Sequence, residues 1–120
     1  MTTCIGIPLF GTEVSPRFCF ADTILVVEVE RGREIRRFIT SLGEPWLPRR
    51  VADLATLGVR TLLCGAFNRA YLPTANRLGI QVITGVSGES ENALAGFLRG
   101  EIVPGSSKMR QCRRLVSPAR

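Results

Sequence analysis

Hydrophobic residues along the chain fall into short runs that predict alternating strands and helices. The segment 59–65 reads Val-Arg-Thr-Leu-Leu-Cys-Gly, the segment 80–83 reads Ile-Gln-Val-Ile, and a Leu-Gly pair precedes each. A glycine that ends a helix, followed by a β-branched residue, is typical of a helix that gives way to a buried strand. Two such junctions a short helix apart predict a β-α-β unit with parallel strands. Ligands bind such units at the carboxyl ends of the strands, here residues 64–66 and 84–88.

Three further strands are predicted upstream, over residues 3–9, 23–30 and 34–40. The run 23–30 is rich in β-branched residues and predicts a central strand that is covered on both faces. The run 34–40 follows it across a short Arg-Gly-Arg turn and carries Arg36 and Arg37. Charges of this kind discourage further pairing, so the two runs predict a hairpin whose second arm is an edge strand.

Helices are predicted over residues 47–57, 68–78 and 89–99. Pro48 suits a first helical turn, and Pro73 means that the second helix either starts near residue 72 or bends. Ser87 or Ser90 is a candidate cap for the third. Together the elements predict an open mixed α/β sheet of five strands in spatial order 3-2-1-4-5, with strand 2 antiparallel and about three helices on its faces.

Length and composition predict one domain, since 120 residues with 45% hydrophobic content are enough for one core. No apolar run approaches the roughly 20 residues of a membrane helix, and the first residues lack the basic and apolar regions of a signal peptide. A cytoplasmic location with reduced thiols is therefore expected, without membrane association.

The distribution of charged residues divides the chain into a nearly balanced body and a basic C-terminal tail. The net charge is +6, and no acidic residue follows Pro104, whereas five basic residues do: Lys108, Arg110, Arg113, Arg114 and Arg120. We therefore expect an α/β domain over residues 1–103 and a basic, flexible tail over residues 104–120. Such a tail either attracts a polyanion or is simply a solvated end.

The absence of histidine excludes His-dependent catalytic triads and histidine metal sites. The four cysteines, Cys4, Cys19, Cys64 and Cys112, form no Cys-x-x-Cys motif, so neither a zinc knuckle nor a redox pair is predicted. Strand one carries no acidic residue, which argues against two-metal nuclease chemistry, and no phosphate-binding P-loop motif occurs.

Three loops, residues 10–22, 64–68 and 84–89, meet at one rim of the predicted sheet. They bring Cys19 and Cys64 to the same edge, whereas Cys4 lies at the other end of strand one and is interpreted as structural. Thiols suit a soft metal or an iron–sulfur species. Backbone N–H groups at helix starts favour an anion there, and Arg17 and Arg69 add positive charge. The predicted metal ligands are the two thiols; Arg17, Gly65 and Gly85 complete the predicted cofactor-binding set.

In order and spacing, these pieces resemble the dinitrogenase iron–molybdenum cofactor biosynthesis family, the NifX- and NafY-like domains. The resemblance covers about residues 3–102 and rests on Cys4–Leu9, Val14-Ser15-Pro16-Arg17-Phe18, Ala21-Asp22, Ile24–Val29, Gly58-Val59, Cys64-Gly65, Leu78-Gly79-Ile80, Thr84-Gly85, Ala93-Leu94, Phe97-Leu98 and Gly100. It implies a ribonuclease-H-like three-layer fold without nuclease activity. It also implies a non-enzymatic carrier of an iron–sulfur or molybdenum-containing cluster, or its precursor, with assembly or acceptor proteins as partners.

The chain departs from the family's pattern at its most recognisable motif. Ser-Pro-His-Phe-Gly in the family corresponds here to residues 15–19, with Arg17 in place of histidine and Cys19 in place of glycine. The family's Gly-Gly pair corresponds to Gly65-Ala66. A histidine ligand is therefore absent, and Cys19 is a candidate replacement.

Two further hypotheses follow from these departures. The domain could be an interaction or regulatory protein that has lost its cofactor site and acts through the basic tail. Alternatively the tail could bind nucleic acid, which predicts steep salt dependence. Nucleic-acid binding is disfavoured because no basic–aromatic interleaving is present, and an enzyme is disfavoured because no acid–base or nucleophilic group of residues assembles.

Overall fold

The computed structural model describes residues 2–43 and 46–101 of the 120-residue chain. The predicted tail over residues 104–120, with Cys112, lies outside the described residues. Within them, no helix is long and apolar enough to cross a membrane.

A mixed sheet of six strands forms the centre of the molecule: β1 (Thr2–Phe10), β2 (Glu13–Val14), β3 (Thr23–Glu30), β4 (Arg33–Ser41), β5 (Thr61–Leu63) and β6 (Gln81–Ile83). The strands lie in the order β4-β3-β1-β5-β6, and β2 pairs with β1. β3 runs antiparallel to both β1 and β4, while β5 runs parallel to β1 and β6. The predicted mixed α/β class is confirmed, as is β4 at an edge.

Helices α1 (Leu47–Thr56), α2 (Leu72–Arg77) and α3 (Ser90–Leu98) connect or follow the parallel strands. A 3-10 turn, Arg69–Tyr71, precedes α2, so Pro73 falls in the first turn of the α-helix, where its missing N–H needs no partner. Asn68 begins that 3-10 turn, since its Oδ1 accepts a hydrogen bond from the N–H of Ala70 at 2.9 Å.

The helices cover both faces of the sheet. Ile5 and Ile7 of β1 belong to a buried cluster with Leu94 of α3. Cys4 belongs to a second cluster on the opposite face with Leu54 of α1, and Ala75 of α2 packs there too. Alternate residues of a strand point to opposite faces, so the chain folds into three layers around two cores.

Gly6 packs closely against residues of the second core. A methyl group at this position would meet Ile24 Cδ1 at 3.0 Å and both Val59 methyls at 3.2 Å. This is the close approach that a glycine within a strand predicts.

Two sequence predictions need correction. The segment 10–22 contains β2 and a 3-10 turn (Phe18–Phe20), neither of which was predicted, because two- and three-residue elements leave no periodic signal. Neither serine caps α3: Glu89 occupies the cap position without a side-chain hydrogen bond. The Ser90 hydroxyl instead donates to the carbonyl of Thr12 at 2.8 Å and ties α3 to the loop.

Candidate functional site

The site loop, residues 10–22, is fixed to the body by backbone hydrogen bonds. The N–H of Val14 donates to Gly88 O at 2.9 Å, and the N–H of Ser15 donates to Pro8 O at 2.8 Å. The buried Ser15 hydroxyl donates to Arg17 O at 2.9 Å. These bonds satisfy backbone groups that the turn would otherwise leave unpaired, so the loop has one defined path.

The turn after β5 supports the site loop at Gly65. The N–H of Ala66 donates to Pro16 O at 2.7 Å, and the N–H of Phe18 donates to Ala66 O at 3.0 Å. A Cβ on Gly65 would lie 2.4 Å from Pro16 O and 2.8 Å from Ser15 O. The position accepts only glycine because two backbone segments meet there, so Gly65 shapes the site by packing.

Replacing Gly65 with alanine is therefore expected to lower the free energy of unfolding by about 1–3 kcal/mol, the range for overpacked sites. The backbone oxygens that the methyl group would meet cannot move without displacing the site loop. Urea denaturation measures the loss. The control is Ala66→Gly at the exposed neighbouring position, and an equal loss in both variants would contradict the packing argument.

A buried arginine holds the 3-10 turn that carries Cys19. Arg50 of α1 is only 2% exposed. Its guanidinium donates to Phe18 O at 2.9 Å, to Ala21 O at 2.6 Å and to Gly43 O at 3.1 Å. Burial lowers the pKa of this guanidinium, and the negative charge of Asp22 is the first effect that opposes the shift. Arg50 thus fastens both ends of the turn to α1.

A cleft of about 280 Å³ opens between the two supported loops. Arg17, Phe18 and Cys19 line one side, and Ala66, Phe67 and Asn68 line the other. The Phe18 and Phe67 rings, whose centroids lie 5.4 Å apart at a tilt of 31°, both line it. Cys19 is half-buried and Arg17 is exposed. A cleft lined by a cysteine, an arginine and two phenylalanines suits a soft metal species with net negative charge.

Cys64 does not join Cys19 in this cleft. Its backbone lies at the predicted rim, but its side chain is fully buried in the second core. Burial raises the pKa of the Cys64 thiol to about 12. The predicted pair of accessible thiols is therefore corrected to one, Cys19. β5 ends at Leu63, so Cys64 directly follows the strand, and the direction of its side chain places the thiol in the core instead of the cleft.

The other predicted site residues support the cleft from outside. Gly85 has a φ of +78°, and its N–H donates to Gly65 O at 2.8 Å. It therefore holds the third loop against the second, and neither glycine lines the cleft. Arg69 is exposed at the start of the 3-10 turn. Cys4 is buried in the core, as expected of a structural thiol. In the described ranges, no three histidine, cysteine or acidic side chains cluster as a metal site.

Sequence reasoning missed Arg50 and the lining residues Phe67 and Asn68. A signal for Arg50 did exist. It precedes Val51 by one residue and Leu54 by four, so it lies on the apolar face of an amphipathic helix. A charged residue on such a face requires buried partners, which here are the carbonyls of the site loop.

No protein-family model matches the chain, and no curated protein matches it either. Solved structures do. The structure of PH0822 superposes with a TM-score of 0.79 at 19% identity, covering 88% of this chain and 99% of that one. A "putative dinitrogenase" from Methanocaldococcus jannaschii gives 0.72 at 13% identity, with 88% and 97% covered. The apo form of the orange protein from Desulfovibrio gigas gives 0.72 at 21% identity, with 87% and 93% covered.

These likenesses extend over nearly the whole of each chain at identities that establish the fold alone. They include a protein described as a "putative dinitrogenase", which agrees with the resemblance found in the sequence. The chain therefore shares its fold with the PH0822 structure, with the "putative dinitrogenase" and with the orange protein.

Proposed function

We propose that the chain is a non-enzymatic carrier that holds an anionic iron–sulfur or molybdenum-containing cluster, or its precursor, in the cleft at Cys19. The observation that carries this proposal is that half-buried Cys19 and exposed Arg17 line the same cleft. The described residues offer one accessible thiol there, so sulfides or a partner's side chain would complete the coordination. Few protein ligands suit a cargo that must leave again.

The proteins with similar structures support this function without establishing it. One is described as a "putative dinitrogenase", and another, the orange protein, was solved in an apo form. In this proposal the three layers form a ribonuclease-H-like fold without nuclease activity, because β1 presents no carboxylate to a metal pair. The partners would be cofactor assembly and acceptor proteins in the cytoplasm, where Cys19 stays reduced.

The experiment is reconstitution of protein purified without oxygen, using iron, sulfide and molybdate, followed by metal analysis and an absorption spectrum. Cys19→Ser is expected to lower cluster affinity about tenfold or more, since even the loss of an outer-shell partner lowers metal affinity by about 10–100-fold. Cys64→Ala is the matched control and is expected to load like the wild type, because that thiol does not reach the cleft.

Equal loading of wild type and Cys19→Ser would overturn the role of Cys19. A wild-type protein that binds no metal would instead favour the second candidate, a cofactor-free interaction protein of the same fold. The replacement of the family's histidine by Arg17, together with the burial of Cys64, is the observation behind that alternative.

A further inference from the structure

A second cleft lies on the other side of Arg17. It measures about 240 Å³ and is lined by Phe10, Ser15, Pro16, Arg17 and Phe20. Phe10 is 73% exposed and Phe20 is 68% exposed, so two aromatic rings of the site loop face solvent. Of the three phenylalanines in the site loop, only Phe18 is buried.

The exposed rings are held in place by the framework of the site. Phe20 belongs to the 3-10 turn that Arg50 fastens at Phe18 O and Ala21 O. Phe10 ends β1 and pairs with Glu13 of β2. Two exposed aromatic side chains on a fixed backbone are unusual on a free surface, because burying them would remove a large apolar area from water. Aromatic and arginine side chains together are typical of interface centres.

Arg17 supplies the charge of this surface. Its guanidinium carbon lies 5.4 Å from the centroid of the Phe20 ring. Among the described residues, no acidic side chain forms an ion pair with Arg17. Arg17 is also the one charged residue among those that line the second cleft. A partner that places an apolar ring between the phenylalanines can therefore offer a carboxylate to Arg17.

We propose that this second cleft docks an acidic segment of the acceptor protein, one that pairs an aromatic side chain with a carboxylate. The proposal rests on the carrier function. Arg17 lines both clefts, so a docked carboxylate competes with the cluster for the same guanidinium. Docking would thereby weaken the hold on the cargo at the moment of transfer.

The test uses the metal-free full chain and the peptide acetyl-Glu-Phe-Asp-amide, followed by NMR of the Phe10 and Phe20 ring protons. We expect saturable shifts with a Kd of about 1 mM, a value typical of a small ligand on an open site. The isosteric peptide acetyl-Gln-Phe-Asn-amide, Arg17→Gln and Phe20→Ala should each weaken binding about tenfold, as expected for the loss of a charged hydrogen bond or a central aromatic contact. Ile39→Ala, from an exposed position on β4, is the control that should leave binding unchanged.

Absence of shifts at either ring, or equal binding of the neutral peptide, would overturn the proposal. Sedimentation of the chain without peptide tests whether a second copy of the chain occupies the second cleft. A dimer that is lost in Phe20→Ala would assign the surface to a second copy of the chain instead. Because no metal is present, a failure here is distinguishable from a failure of cluster loading.

Discussion

Replacing Arg50 with methionine is expected to lower the free energy of unfolding by about 3–5 kcal/mol, because buried carbonyl groups would lose a charged donor. The guanidinium donates hydrogen bonds to Phe18 O, Ala21 O and Gly43 O. Methionine fills a similar volume but has no hydrogen-bond donor. Urea denaturation measures the effect. Hydrogen exchange should also quicken at the N–H of Ala21, which closes the 3-10 turn by donating to Phe18 O at 3.3 Å.

The adjacent arginine provides the control. Arg49 is exposed and pairs with Asp53 at 3.4 Å on the surface of the same helix. Such pairs contribute less than about 1 kcal/mol, so Arg49→Met is expected to be close to neutral. Arg50→Lys retains the charge but cannot reach three carbonyls with a fixed planar group, so an intermediate loss is expected. Equal losses at both positions would show that helix composition, not the buried contact, determines stability.

The order of strands and helices could be predicted from the sequence because the signals that end a helix and begin a strand lie next to each other in the chain. Each of the two Leu-Gly junctions ends a helix: Gly58 and Gly79 have φ values of +85° and +81°. β5 and β6 then follow after Val59 and Ile80, although each is shorter than the predicted strand. A glycine with a left-handed backbone, followed by a β-branched residue, indicates both the end of a helix and the start of a strand.

The site was less predictable because it depends on the direction of single side chains. Cys19 lies in a 3-10 turn and Cys64 follows β5 at the same rim, and only the three-dimensional packing shows that Cys19 lines the cleft whereas Cys64 is buried in the core. Phe10, Phe18 and Phe20 are alike in sequence, yet only Phe18 is buried. Sequence periodicity assigns faces within regular elements, and these residues lie at strand ends or in irregular turns, where it assigns none.

Stability should fall at high pH because of Cys64. Its pKa is raised by burial to about 12, against an ordinary value of 9.0. Below pH 9 the Cys64 thiol is protonated in both the folded and the unfolded protein, and its contribution to the stability of the folded protein is fully present. Between pH 9 and about 12 only the unfolded state ionises, so stability is lost as the pH rises. The expected slope is about 1.4 kcal/mol for each pH unit, or about 4 kcal/mol over the window.

Comparison of variants isolates this contribution from the other titrating groups. Cys64→Ala should be less stable than the wild type near pH 7, because a small cavity forms, and should lose less stability above pH 9. Urea midpoints from pH 7 to 11 measure both proteins. Equal slopes in wild type and Cys64→Ala would show that Cys64 ionises freely, and would return it to the set of candidate ligands.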